Sequence, residues 1–222
     1  MGPPAQASVQ AGVFRLAARR GVPLATGFSF REGNGWRGEL QAPVWPRAVS
    51  GDADLTVEGR LRVEEGGCVF DVSPAEGQKT GWFYDQAANR DHFVALVEGR
   101  RVLDVCSYVG AWSVRAAVAG ARAVTAVDAS AQALAGVAAN AALNGQVGRI
   151  ETVQADAFEA LRELRAARER FDVVVLDPPA FIKRRKDSKA GTLAYRRLNE
   201  AAMGLLERDG LLVSASCSFH FS

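Results

Sequence analysis

Several signals are scarce in this sequence, and each scarcity removes a class of protein. Three cysteines, Cys68, Cys106 and Cys217, occur in 222 residues. They are too few, too far apart and odd in number for a disulfide framework, and no CxxC pair offers a metal site. Any cysteine chemistry must therefore come from one thiol alone. No window approaches the ~18 consecutive apolar residues that a membrane span needs. The opening MGPPAQASVQ lacks the basic-then-apolar layout of a signal peptide. The expected setting is the cytoplasm, with no membrane and no metal. Net charge is also small, at +2, so no global field draws the chain to nucleic acid. Repeats and low-complexity tracts are missing as well.

What is there reads as a globular α/β chain. From about residue 99 the apolar pattern alternates between short β-like runs and longer helical ones, the rhythm of βαβ units and a parallel sheet. RVLDVCSY, AVTAVDAS, IETVQAD and FDVVVLD read as four buried strands, and GLLVSASCS, opened by an Asp209-Gly210 turn, as a fifth. Helices are predicted between them: GAWSVRAAVAG ending at Gly120, an Ala-rich helix capped by Ser130, FEALRELRAARER, and TLAYRRLNEAAMGLLER with Leu198, Ala202 and Leu205 on its apolar face. Residues 55–98 alternate apolar and polar positions and read as a small β-rich, hairpin-like subdomain. Residues 1–54, rich in Gly, Pro and Arg, stay unassigned. The expected division is thus 1–54, 55–98 and 99–222.

In an open parallel sheet, ligands bind beyond the carboxyl ends of the strands, where the strand order reverses. Asp104, Asp128, Asp156 and Asp177 fall at or near four such ends. One acid per strand end is also what helix N-capping produces. Four together favour a nucleotide-like ligand. Asp128, with Ala129 beside it, suits ribose hydroxyls. The first turn holds Cys106, Tyr108 and Gly110 but not the G-x-G-x-x-G pattern that lets backbone approach a pyrophosphate. A cofactor with ribose and adenine but no phosphate fits better, and S-adenosylmethionine is the candidate. Asp156 and Ala157 would then lie near the adenine amine, and Asp104 and Gly110 would flank the amino-acid tail.

The stretch VVVLDPPAFIKRRKD ends a buried strand on Asp177, stiffens the exit with Pro178 and Pro179, and then presents Lys183, Arg184, Arg185 and Lys186. Prolines fix φ and donate no hydrogen bond, so the carbonyls there stay free to accept one from a flat base. Phe181 is either a stacking face for a splayed RNA base or core packing. The cations are either a solvated face or a cradle for RNA phosphates. Cys217 follows at the end of the fifth strand. A buried structural thiol is the default for any cysteine. At that strand end a thiolate is what pyrimidine carbon-5 methylation requires, because addition at carbon 6 makes carbon 5 nucleophilic. Two other readings stay open: methylation of an exocyclic amine through Asp177-Pro178-Pro179 without a thiol, and a noncatalytic RNA-binding remnant.

Five ordered motifs, GQKTGWFYDQAANR, VLDVCSYVGAWSV, AVDAS, FDVVVLDPPAF and SASCS, resemble the RNA methyltransferases that make 5-methylcytosine in large-subunit ribosomal RNA. The resemblance covers roughly residues 55–222. It implies a Rossmann-like class I methyltransferase sheet, S-adenosylmethionine as cofactor and large-subunit ribosomal RNA as partner, and it leaves a homodimer open. It gives GQKTGWFYDQ a place lining the cofactor pocket, with Lys79, Phe83 and Gln86 as contacts. It makes Cys217 the nucleophile and Asp177 the acid that holds the cytosine edge. Members of that family begin with a PUA domain and continue past the SCS strand, so the resemblance also implies a C-terminally truncated fragment.

Overall fold

The computed structural model describes residues 27–32, 35–40, 61–72, 82–182 and 184–216. Lys79, Lys183 and Cys217 lie outside the described residues, and Arg185 is described as backbone only. Two antiparallel hairpins come first: β1 (Gly27–Glu32) with β2 (Gly35–Leu40), and β3 (Leu61–Glu65) with β4 (Cys68–Val72). Five parallel strands follow, namely β5 (Arg101–Val105), β6 (Ala123–Asp128), β7 (Ile150–Gln154), β8 (Phe171–Leu176) and β9 (Leu206–Ser214). Their order in the sheet is β7-β6-β5-β8-β9, so the chain steps outward on one side of β5 and returns on the other. The reversal point is the gap between β5 and β8, where Asp104 and Asp177 lie. Fold class is thus as the sequence implied: a Rossmann-like α/β fold with a parallel sheet, preceded by small antiparallel pairing.

Helices α1 (Ala87–Val94), α2 (Ala111–Val118), α3 (Ala131–Leu143), α4 (Ala157–Ala166) and α5 (Ser188–Met203) cover the sheet. Strand geometry sends neighbouring side chains to opposite faces. On one face Leu103, Val105, Val127 and Leu176 meet Leu161 of α4 and Leu198 of α5; on the other, Val102, Val124, Val173 and Val175 meet Phe93 of α1 and Trp112 of α2. Both faces are covered, which is why β5 and β8 read as continuous apolar runs rather than alternating ones. Each such fully buried Val or Leu stabilises the fold by about 1.5–3 kcal/mol relative to an exposed one.

Local signals explain most boundaries. The Ser130 hydroxyl accepts a hydrogen bond from Ala133 N at 3.2 Å and starts α3, and the Asp156 carboxylate accepts one from Phe158 N at 2.9 Å and starts α4. Three features differ from the sequence expectation. Helix α5 begins at Ser188, ahead of the expected Thr192, and ends at Met203, so Leu205 is buried in the turn beyond it rather than on its face. Strand β9 begins at Leu206, which pairs with Phe171 before the chain loops through Asp209 (φ 64°) and re-enters register with Leu211 opposite Val173. Apolar, buried Leu206 is the reason: it completes the core before the Asp209-Gly210 turn intervenes. Helix α1 carried no apolar period, because two of its buried residues are Asn89 and Arg90.

The β3–β4 hairpin turns through Gly66 and Gly67, both at positive φ (56° and 77°). It packs Val63, Cys68, Phe70 and Val72 over Trp82, Val109 and Val114. Helix α3 stands in for a missing partner strand. Asn144 exchanges hydrogen bonds with Val69 N (2.9 Å) and O (2.7 Å), Asn140 Oδ1 accepts from Asp71 N (2.8 Å), and Asn140 Nδ2 donates to Val109 O (2.9 Å). The hairpin is therefore fastened to the loop that follows β5.

Candidate active site

The loop after β5 is built to be tight. Cys106 (φ 65°), Tyr108 (φ 49°) and Gly110 (φ 87°) all take left-handed backbone, a cost concentrated in five residues and characteristic of functional loops. A Cβ at Gly110 would meet Val137 Cγ1 at 3.2 Å, so backbone alone fits there. The loop is held from β6: Ser107 N donates to Val127 O at 3.0 Å and Tyr108 N donates to Asp128 Oδ2 at 2.9 Å. Asp128 also accepts from Ser130 N at 2.9 Å. Two of its roughly four lone-pair sites thus remain for ribose hydroxyls. Ala129 next to it is exposed.

Asp104 differs from the others. It is the penultimate residue of β5 and is fully buried, with Oδ2 accepting from Ser113 Oγ at 2.6 Å and Oδ1 without a hydrogen-bond partner among the described residues. Burial pushes its carboxyl up to about 7, and Asp177 and Asp128 add to the rise. A buried oxygen without a donor points to an absent one. The ammonium of an amino-acid tail is such a donor. The residues present therefore fit S-adenosylmethionine at this end.

Asp177 follows β8 directly. Its backbone N donates to Val105 O at 3.3 Å, which places it beside the start of the β5 loop, and its Oδ2 accepts from Trp112 Nε1 at 3.1 Å. Burial pushes this carboxyl up, while the Trp112 bond and the charge of Arg90 oppose the rise. Burial raises the Cys106 thiol to about 12, and Asp128, Asp177, Asp104 and Asp156 all push the same way. Cys106 is thus held as the neutral thiol near pH 7. Asp156 acts there while capping α4, and Ala157 opens that helix.

The stretch before α1 closes the other side. Phe83 lies edge-on to Tyr108, ring centroids 6.0 Å apart, and Gln86 accepts from Asn89 Nδ2 at 2.6 Å. Between them Asp85, in a short 3-10 turn (Tyr84–Gln86), carries a buried Oδ1 without a partner, and its carboxyl is pushed up to about 7 by burial and by Asp177. Sequence reasoning named Phe83 and Gln86 in this motif and missed Asp85. The signal available was an acid in the middle of a motif already placed at the pocket.

Beyond Asp177, Pro178 is buried and Pro179 exposed. Phe181 is half-buried, 4.7 Å from the Tyr195 ring and 6.5 Å from that of Phe158, so it lies at the edge of the core rather than wholly in it. Among the cations, Arg184 pairs with Asp187 at 3.1 Å and Arg196 with Glu200 at 2.7 Å, both at the surface, while Lys186 is exposed. No cluster of His, Cys, Asp or Glu suited to a metal occurs among the described residues, nor does any helix long and apolar enough to cross a membrane.

A family model of S-adenosylmethionine-dependent methyltransferases matches residues 48–218. The chain is 43% identical over 159 residues to a ribosomal RNA large subunit methyltransferase of Deinococcus radiodurans, covering 71% of this chain and 39% of that protein. It is 38% identical over 159 residues to ribosomal RNA large subunit methyltransferase I of Citrobacter koseri, covering 71% and 40%. The chain spans about two fifths of the length of these curated relatives. Among solved structures it resembles SMU.776 in complex with SAH, with a TM-score of 0.62 at 29% identity over 70% of this chain and 41% of that one. The fold also matches a SAM-dependent methyltransferase from Agrobacterium tumefaciens, with a TM-score of 0.59 at 22% identity over 82% and 56%.

Proposed function

The chain belongs to the S-adenosylmethionine-dependent methyltransferase family, and from that premise we propose that it methylates carbon 5 of a cytosine in large-subunit ribosomal RNA, with Cys217 as nucleophile and Asp177 holding the base. One observation carries this reading. Ala215 N donates to Leu176 O at 2.8 Å, so the end of β9 runs beside the strand end that bears Asp177. Cys217 follows two residues further along the sequence, outside the described residues.

Bound S-adenosylmethionine supplies an electrophilic methyl group on a sulfonium. Asp128 and Ala129 hold the ribose, Asp156 and Ala157 the adenine, and Asp104, Cys106, Tyr108 and Gly110 the amino-acid tail. Phe83 and Gln86 would contact the cofactor, as would Lys79, which lies outside the described residues. The Cys217 thiolate would add to carbon 6 of cytosine, making carbon 5 enamine-like; its electron pair would form the new bond to the methyl carbon as the bond from that carbon to the sulfonium breaks, leaving a neutral thioether. Loss of the carbon-5 proton to a base then expels the thiolate and restores the ring. Asp177 accepts a hydrogen bond from the exocyclic amine. Phe181 stacks on a splayed base, and Lys183, Arg184, Arg185 and Lys186 contact phosphates. The working division is 1–54, a cofactor-lining subdomain over 55–98 and the methyltransferase domain over 99–222, acting in the cytoplasm.

The test uses two variants and large-subunit ribosomal RNA with labelled S-adenosylmethionine. Cys217→Ala is expected to keep cofactor binding and lose transfer, and Asp128→Ala to weaken cofactor binding. Methylation that survives Cys217→Ala overturns the carbon-5 reading in favour of amine methylation. Absence of cofactor binding in the unaltered chain overturns the enzyme reading in favour of an RNA-binding protein.

A further inference from the structure

Trp112 carries no role in the reading above, yet it is the side chain that hydrogen-bonds Asp177 among the described residues. It lies in the first turn of α2 at 2% exposure, set edge-on against Phe93 with centroids 5.2 Å apart. The Arg90 guanidinium lies 5.8 Å from its ring and 5.2 Å from that of Trp82. Arg90 is itself immobilised. It is 1% exposed, donates to both Glu65 oxygens (2.6 and 2.7 Å) and donates to Phe83 O at 2.9 Å. Glu65 belongs to β3, so one connected set of contacts runs from the hairpin through Arg90 and the indole to the acid beside the acceptor.

A buried indole N–H needs an acceptor, and a backbone carbonyl would serve the fold as well. Here it uses the carboxylate that the proposed chemistry needs. We propose that Trp112 is a positioning residue for Asp177, fixing the carboxylate in the orientation that meets the acceptor base, with Arg90 and Glu65 fixing the indole. The inference rests on the reading of Asp177 as the base-holding acid. The charged and titratable groups around Asp177 are Asp85 from the 3-10 turn, Arg90 from α1, Asp104 from β5 and Cys106 from the loop. Burial disfavours its ionisation, and the Trp112 bond, then the charge of Arg90, favour it; Asp177 in turn raises Asp85, Asp104 and Cys106. Removing the N–H leaves burial less opposed.

Trp112→Phe keeps an aromatic ring against Phe93 and Arg90 and deletes the donor. In this chain, carbon-13 NMR of labelled aspartate carboxyls is expected to show the Asp177 midpoint rising by roughly one unit, as for loss of one hydrogen bond to a charged group. Methyl transfer at pH 7 should fall about tenfold in kcat with KM for S-adenosylmethionine unchanged, and the variant should regain part of the loss at higher pH. In an Asp177→Asn background, Trp112→Phe should cost no more, because the pair acts as a unit. An unmoved Asp177 midpoint, or losses that multiply independently, overturns the inference. Should Trp112→Phe fail to fold, the Trp112 indole N–H resonance of the unaltered protein supplies the readout. Its shift must follow the Asp177 midpoint and lose that pH dependence in Asp177→Asn; a shift flat in pH overturns the inference. If Asp177→Asn leaves transfer intact while the midpoint still moves with Trp112, the coupling stands and the role given to Asp177 fails.

Discussion

Asp85 costs the fold stability, and the cost can be measured through its pH dependence. Its carboxyl is pushed up to about 7 in the folded chain by burial and by Asp177, against about 3.9 in an unfolded one. Below pH ~4 both states bind the proton and nothing is lost. As pH rises from there through 7, the unfolded state gives up its proton first, so stability falls; above pH ~8 the full penalty applies. Three units at 1.36 kcal/mol each set that penalty at about 4 kcal/mol, of which some 2–3 kcal/mol appears between pH 5 and pH 8.5. Asp85→Asn keeps the shape and removes the titration. Urea unfolding of both proteins at the two pH values is the assay. The variant is expected to gain about 2–3 kcal/mol on the unaltered chain at pH 8.5 relative to their difference at pH 5. At ~2–4 °C per kcal/mol, that is a Tm difference of about 4–12 °C. A difference that is the same at both pH values refutes the placement of a desolvated Asp85 carboxyl beside Asp177. A buried group that costs this much fits a site role better than a structural one.

Two further outcomes follow from the loop and the basic segment. Gly110→Ala forces a side chain into left-handed backbone against Val137; it is expected to cost about 1–3 kcal/mol in unfolding assays and to weaken S-adenosylmethionine binding measured by calorimetry, and unaltered affinity would count against the loop as the tail's seat. If residues 183–186 contact phosphates, RNA affinity falls as salt rises, and neutralising Lys186 should lessen the slope of log K against log salt by about 0.7–0.9; a slope unchanged by that substitution removes Lys186 from the contact.

Much of the fold was legible because the sheet is covered on both faces. Strands such as FDVVVLD then read as unbroken apolar runs, and Ser130 stood where α3 begins. The acids were legible by their places at strand ends, although Asp104 proved to lie inside its strand and Asp156 to serve as a helix cap as well. What escaped notice was polar and buried. Asn89 and Arg90 erase the apolar period of α1, and Asn140 and Asn144 fasten the hairpin through bonds that hydropathy does not register. Asp85 and Trp112 act through partners distant in sequence, Asp177 above all, and a pattern read over neighbouring residues does not reveal such contacts.

The central claim is that the Cys217 thiol attacks the base that Asp177 holds. RNA carrying 5-fluorocytosine tests it most directly, because fluorine at carbon 5 cannot leave as a proton and the adduct cannot resolve. The account predicts that, with S-adenosylmethionine present, mass spectrometry of the trapped complex finds methylated fluorocytosine joined through carbon 6 to Cys217. Methylation of unmodified RNA with no such adduct, or an adduct at Cys68 or Cys106, would contradict it.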